Sequence, residues 1–105
     1  MKKLFTLLLA GVLAAGCCFG LTACGDKEES LKVGLICLHD ESSTYDKNFI
    51  DAFKAAAEKK GVTAVIKTGI PEGVECKEAA LDLADQGCKA IFADSFGHED
   101  FMIEA

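Results

Sequence analysis

Residues 32–67 read KVGLICLHDESSTYDKNFIDAFKAAAEKKGVTAVIK, and this stretch decides the fold. Lys32 to Leu38 (KVGLICL) is a near-continuous apolar run, the pattern of a strand buried on both faces. Residues 44–60 carry a helical period instead. Phe49, Phe53, Ala56 and Ala57 are expected on one face, with Asp51, Lys54 and Glu58 away from it. Ser43 and Asp46 form an S-x-x-D capping box at the start, and Gly61 suits the residue just past the end. Val62 to Lys67 (VTAVIK) reads as a second strand. A strand, a helix and a strand in this order predict a parallel pair joined by a right-handed crossover.

Downstream the pattern repeats. Thr68 to Gly73 (TGIPEG) is a loop with the only Pro of the chain. Residues 74–86 are expected to form a second helix with Cys76, Ala80, Leu83 and Ala84 on one stripe, stopped by Gly87. Lys89 to Ala93 (KAIFA) is a third strand. Asp94 to Gly97 is a turn, and residues 98–105 begin a third helix, with Glu99 and Asp100 favourably placed against its macrodipole. The expected class is α/β: a three-layer parallel sheet of strand order 2-1-3 covered by helices on both sides.

Upstream the chain has another character. Met1-Lys2-Lys3 is a short positive segment, and residues 4–23 (LFTLLLAGVLAAGCCFGLTA) are almost wholly apolar. The cations lie at the extreme amino terminus, small residues gather toward the far end, and acidic residues follow rather than a basic stop-transfer cluster. These features predict a signal peptide over residues 1–23 rather than a membrane-spanning helix. Leu21-Thr22-Ala23-Cys24 resembles the bacterial lipobox, with Leu at −3, a small residue at −1 and Cys at +1. That resemblance implies that Cys24 becomes lipidated and is the first residue of the mature protein. Ala15-Gly16-Cys17 is a poorer cleavage candidate, since Ala14 rather than Leu stands at its −3 position. Residues 24–31 then read as the lipidated cysteine and a polar tether, and residues 32–105 as the domain.

Composition narrows the function. The 105 residues include 11 Lys and Arg against 17 Asp and Glu, a formal net charge of −6. Nucleic acid is not an expected partner, because no basic patch is available to neutralise phosphates. Of the six Cys, Cys17 and Cys18 belong to the leader and Cys24 to the lipobox. Cys37, Cys76 and Cys88 remain, and they read as small buried hydrophobes. Cys76 and Cys88 stand about 18 Å apart if the intervening residues are helical, too far for a disulfide. No Cys-x-x-Cys occurs, so spacing implies no metal site. No Walker A or G-x-G-x-x-G cradle occurs either, and no cofactor is expected.

A binding site is expected where the strand order reverses, outside the carboxyl ends of strands 1 and 3. Two loops meet there: His39-Asp40-Glu41-Ser42-Ser43-Thr44-Tyr45-Asp46 and Asp94-Ser95-Phe96-Gly97-His98. Both histidines of the chain lie in them. Candidate ligand-binding residues are His39, Asp40, Tyr45, Asp46, Ser95, Phe96 and Gly97. Each also has an ordinary structural reading: Ser43, Asp46 and Ser95 as helix caps, Tyr45 and Phe96 as packing residues, and His39 and His98 as solvated loop histidines. Enzyme motifs fail at single positions. Ala93-Asp94-Ser95-Phe96-Gly97 lacks the first Gly of a nucleophile elbow, and His98-Glu99 is followed by Met102 where a zincin needs His. No catalysis is expected.

With these residues in view, the chain resembles the basic membrane protein family, the lipoprotein substrate-binding components of ABC transporters that include purine nucleoside receptors. The resemblance rests on the lipobox at Cys24, on KVGLICLHDESSTYDKNFIDAF, and on IPEGVECKEAALDLADQGCKAIFADSFGHEDFMIEA, of which DLADQGCKAIFADSFGHED is the most specific part. It implies a type I periplasmic-binding-protein fold, two α/β lobes closing on a solute without chemistry. Members place an aromatic residue and then Asn at the start of the first helix, where the aromatic stacks on a base. Tyr45-Asp46 occupies that place, with Asp departing from the pattern. His39-Asp40 matches a loop that carries an acidic ligand contact, and Ser95-Phe96-Gly97 a loop facing the solute. The implied partners are a nucleoside-like solute, an ABC permease, and the membrane through the lipid. The implied location is the extracytoplasmic face of the cell membrane.

A sugar or signal-molecule receptor of the same fold is the alternative, and a surface hydrolase using Ser95 and His98 a remote one. Three strands are fewer than a lobe of that fold holds. The expectation is an incomplete amino-terminal lobe that binds solute weakly on its own.

Overall fold

The computed structural model describes residues 29–105. The expected leader, Cys24 and most of the tether lie outside the described residues. Among those described, no helix is long and apolar enough to cross a membrane. The end of the tether is docked on the domain. Ser30 Oγ donates to the Gly61 carbonyl at 3.2 Å, and the Thr63 N–H donates to the Leu31 carbonyl at 2.8 Å.

Seven elements follow: β1 (Lys32–Ile36), α1 (Thr44–Lys60), β2 (Thr63–Lys67), α2 (Val74–Asp85), β3 (Cys88–Ala93), a 3-10 turn (Phe96–His98) and α3 (Glu99–Glu104). The three strands form one parallel sheet in the order β2-β1-β3, as the alternation of strands and helices predicted. Leu35 lies opposite Ile66 and Phe92, and Ile36 opposite Lys67 and Ala93.

That order sends the chain one way from β1 to β2 and the other way from β2 over β1 to β3. Crossovers of one hand then place α1 and α2 on opposite faces. The core divides accordingly. Leu35, Cys37 and Ile50, with Phe53 and Ile66, pack between the sheet and α1. Ile36, Cys76, Ala79, Ala80, Leu83 and Cys88, with Phe101 and Met102, pack on the other side. Alternate residues of β1 therefore serve different layers. Ile36, Ile50 and Leu83 are fully buried, each contributing about 1.5–3 kcal/mol of apolar transfer. At Gly34 a Cβ would stand 2.9 Å from Leu83 Cδ1, so the absent side chain lets α2 lie close on the sheet.

Several local expectations need correction. β1 ends at Ile36, not Leu38, because beyond the last rung the Leu38 N–H meets the side chain of Asp94, past the end of β3, rather than a ladder carbonyl. The β2 start moves by one residue to Thr63, and Cys88 belongs to β3 rather than to the link before it. The inward stripe of α1 is Asp46, Ile50, Phe53 and Ala57, whereas Phe49 and Ala56 are exposed. A rotation of the helix by one position admits Asp46 into the interior, and that choice follows from the polar partners waiting there. On α2 it is Ala79, not Ala84, that joins Cys76, Ala80 and Leu83.

Only half of the capping box forms. Ser43 Oγ accepts from the Asp46 N–H at 3.5 Å, but the Ser43 N–H donates to the Asp40 carbonyl and the Asp46 carboxylate turns elsewhere. His98 is not a solvated loop residue but completely buried. Cys76 and Cys88 share one buried cluster yet, like Cys37, remain free thiols.

Candidate functional site at the carboxyl end of the sheet

The site begins where the β1–β3 ladder stops. The Asp94 N–H makes the last rung, donating to the Ile36 carbonyl at 3.0 Å. The Asp94 side chain then takes over: Oδ1 accepts from the Leu38 N–H at 3.2 Å. On the other side of β1 the Cys37 N–H donates to the Lys67 carbonyl, and the Ile70 N–H to the Cys37 carbonyl. The strand end is thus held from both sides, and Cys37 points its buried thiol toward α1, among Leu35 and Ile50.

Asp46 comes into the same space from the first turn of α1. It is 1% exposed. Its Oδ1 accepts from the His39 N–H at 3.1 Å, and its Oδ2 lies 3.2 Å from His39 Nδ1. One carboxylate therefore fastens the β1–α1 loop to the helix that the loop leads into. The His39 ring itself is largely exposed.

The two buried carboxyl groups titrate in opposite directions. Burial opposes ionisation of Asp46, but hydrogen bonds from Asp94, Ser43 and His39 outweigh it and hold Asp46 well below the usual carboxylate range. Asp94 is pushed up, first by burial and then by its bond to Asp46, despite the donated Leu38 N–H. Asp94 Oδ2 is buried and accepts from no donor. The Cys37 thiol is raised to about 12 by burial and by the nearby Asp94 and Asp46. The sulfur and one oxygen of each carboxylate lie within 4.8 Å of one another.

The remaining expected site residues surround this floor. Tyr45 is 60% exposed. Its hydroxyl donates to the Asp94 carbonyl at 3.2 Å, and its ring stands 5.0 Å from that of Phe49. Asp40 is exposed and closes a tight turn with the N–H and hydroxyl of Ser42, bonds that hold its carboxyl below the ordinary value. Phe96 is 90% exposed. Ser95 does not cap the 3-10 turn; its hydroxyl donates to Glu72. Gly97 lies so close to the Glu72 carboxylate that a Cβ there would collide with it. His98 Nε2 bonds the Ile70 carbonyl at 2.8 Å, and its Nδ1 has no partner. Ser95 and His98 are therefore engaged separately, not as a nucleophile and its base.

The open space is displaced from the expected crevice. A depression of about 400 Å³ is lined by Asp40, Glu41, Ser42 and Thr68, on the β2 side of β1. Between β1 and β3 the buried Asp46 and Asp94 form the floor, and the Tyr45 hydroxyl bonds the Asp94 carbonyl beside it. Sequence reasoning placed His39, Asp40, Tyr45 and Asp46 on one loop and Ser95, Phe96 and Gly97 on another. The structure joins the two through Tyr45 and Asp94. It adds Cys37, Asp94 and Glu72, of which only Asp94 carried a signal, as the first residue beyond a strand at the switch point. The chain matches no family model and no curated protein.

Proposed function

We propose that the chain is the solute-capturing part of a lipid-anchored extracytoplasmic receptor of an ABC importer, of the basic membrane protein type, taking nucleosides or similar small polar solutes. The observation that supports this reading best is Tyr45. Its ring is exposed at the carboxyl end of the sheet while its hydroxyl is held by the Asp94 carbonyl. A ring fixed in place and open on its face is a stacking platform, and such stacking contributes about 1–3 kcal/mol per base. His39 and Asp40 stand on the same loop with exposed polar atoms, and an acceptor such as Asp40 suits a ribose hydroxyl. Ser95, Phe96 and Gly97 form the opposite loop. Asp46 acts beneath the surface, orienting His39 rather than touching solute. The lipobox at Cys24 and the acidic balance fit capture outside the membrane, with a permease as the partner that receives the solute.

The test is nuclear magnetic resonance of the isotopically labelled full chain in detergent, with purine and pyrimidine nucleosides added to millimolar concentration. The expected result is shift changes confined to residues 39–46 and 94–98, reduced by Tyr45→Ala. Shifts produced by free sugars but by no nucleoside would transfer the reading to a sugar receptor. Acyl labelling of expressed protein tests the anchor, and Cys24→Ala is expected to abolish it.

A further inference from the structure

The polar cluster under Tyr45 has more ligating capacity than the fold uses. Cys37 is completely buried, Asp46 1% exposed and Asp94 6% exposed. Their sulfur and carboxylate oxygens converge within 4.8 Å. Asp94 Oδ2 has no donor partner although it is shut off from water. An unpartnered carboxylate oxygen costs free energy in the interior unless a positively charged partner reaches it. The other oxygen of Asp94 is already held by the Leu38 N–H, and those of Asp46 by His39, so the vacant oxygen is aimed by fixed neighbours.

We propose that Cys37 Sγ and the carboxylates of Asp46 and Asp94 form a site for one thiophilic divalent cation of the Zn2+ class. The donor set selects the class. A thiolate favours zinc-like ions over calcium and magnesium, which take oxygen ligands alone. Zinc binds sulfur at about 2.3 Å and carboxylate oxygen at about 2.0–2.2 Å, which places tetrahedral donors roughly 3.5 Å apart. The observed spacing closes to that by about 1 Å of side-chain adjustment, within reach of two Asp rotamers. His39 Nδ1 already bonds Asp46 Oδ2, the outer-shell arrangement that orients a ligating carboxylate. The fourth position is left to water. On loading, the dication takes the place of the thiol proton and of any proton on the carboxyl groups, and these leave to solvent. The site lies below the proposed solute surface and does not depend on the identity of the solute.

The experiment uses the full chain, stripped with EDTA and titrated with Co2+ followed by Zn2+. The expected result is a thiolate-to-cobalt charge-transfer absorption with tetrahedral ligand-field bands, saturating at one equivalent and displaced by Zn2+. Cys37→Ser is expected to abolish the charge-transfer band, whereas the Cys17→Ser, Cys18→Ser, Cys24→Ser variant keeps it. Asp94→Asn retains the shape of the side chain and can donate to Asp46; it is expected to stay folded by circular dichroism and to bind Co2+ at least about tenfold more weakly. A wild-type chain without the band would overturn the proposal. So would a band that survives Cys37→Ser, or a folded Asp94→Asn chain of unchanged affinity.

Discussion

Replacing Asp46 in two ways separates its roles as acceptor and as charge. In Asp46→Ala the His39 N–H loses its acceptor, which costs about 1–3 kcal/mol for a donor left unmet. The first turn of α1 also loses its only acidic residue, worth about 0.3–1 kcal/mol against the macrodipole. The total is about 1–4 kcal/mol. A core of this size supplies only about 3–5 kcal/mol, so the variant is expected to lose a large share of its stability. Asp46→Asn keeps Oδ1 as acceptor for His39 and turns an amide N–H toward the vacant Asp94 Oδ2. Its expected loss is under about 1 kcal/mol, the macrodipole share alone. Urea unfolding of the full chain, followed by far-ultraviolet circular dichroism in EDTA at neutral pH, gives both values. An Ala variant losing less than Asn, or both losing equally, would refute the assignment of Asp46 as the acceptor that ties α1 to the β1–α1 loop.

The same pair carries a pH signature whose sign follows from linkage. Asp46 is depressed, so its contribution is present above the unfolded value of 3.8 and disappears as pH falls through the folded one. Asp94 is raised, so its contribution is present below 3.8 and disappears as pH rises through its folded value. Wild-type stability from the pair is therefore greatest near 3.8 and declines on both sides. Asp46→Asn removes the first effect and, by donating to Asp94, weakens the second. Its disadvantage against wild type is expected to be largest near 3.8 and to narrow in both directions. A difference that does not change with pH would show that the two carboxyl groups do not shift each other's ionisation.

Three further outcomes follow from the packing and the site. Tyr45→Phe is expected to lose about 1 kcal/mol of stability with the hydroxyl bond to Asp94 while keeping nucleoside shifts, whereas Tyr45→Ala loses the shifts; equal effects of both would remove stacking from the account. Gly34→Ala is expected to cost about 1–3 kcal/mol by overpacking, because the new methyl meets Leu83 Cδ1 at 2.9 Å, and an unchanged urea midpoint would show that α2 yields freely. Burial raises the Cys37 thiol from 9.0 to about 12, so the unfolded chain ionises first as pH climbs through that window and stability falls; Cys37→Ala is expected to flatten that decline, and an identical slope in the variant would contradict the buried, protonated thiol.

Much of the fold is legible locally because strand and helix periods differ and because capping and stopping residues act within one turn. The period of residues 44–60, Ser43 before them and Gly61 after them predict the observed limits of α1. The αL conformation of Gly61, at φ 67°, is the one a glycine adopts without strain. The alternation of elements predicts a parallel sheet, and the observed order β2-β1-β3 agrees. Hydropathy turns Phe49 rather than Asp46 inward because Phe49 is the more apolar, and it has no access to the partners that await a side chain inside.

Sequence alone therefore determined the elements, their order, and the two loops that meet at the end of the sheet. Tertiary structure decided which residues of those loops are surface and which are floor. Cys37, Asp46 and Asp94 come from a strand end, a helix start and a second strand end, separated by up to 57 positions along the chain. No spacing rule joins them, because their proximity is produced by the β1–β3 register and by the rotation of α1 about its axis. Once joined out of water, Asp46 and Asp94 shift each other's ionisation in opposite directions, and both raise the Cys37 thiol. That coupling arises from burial and distance, and both are properties of the folded chain.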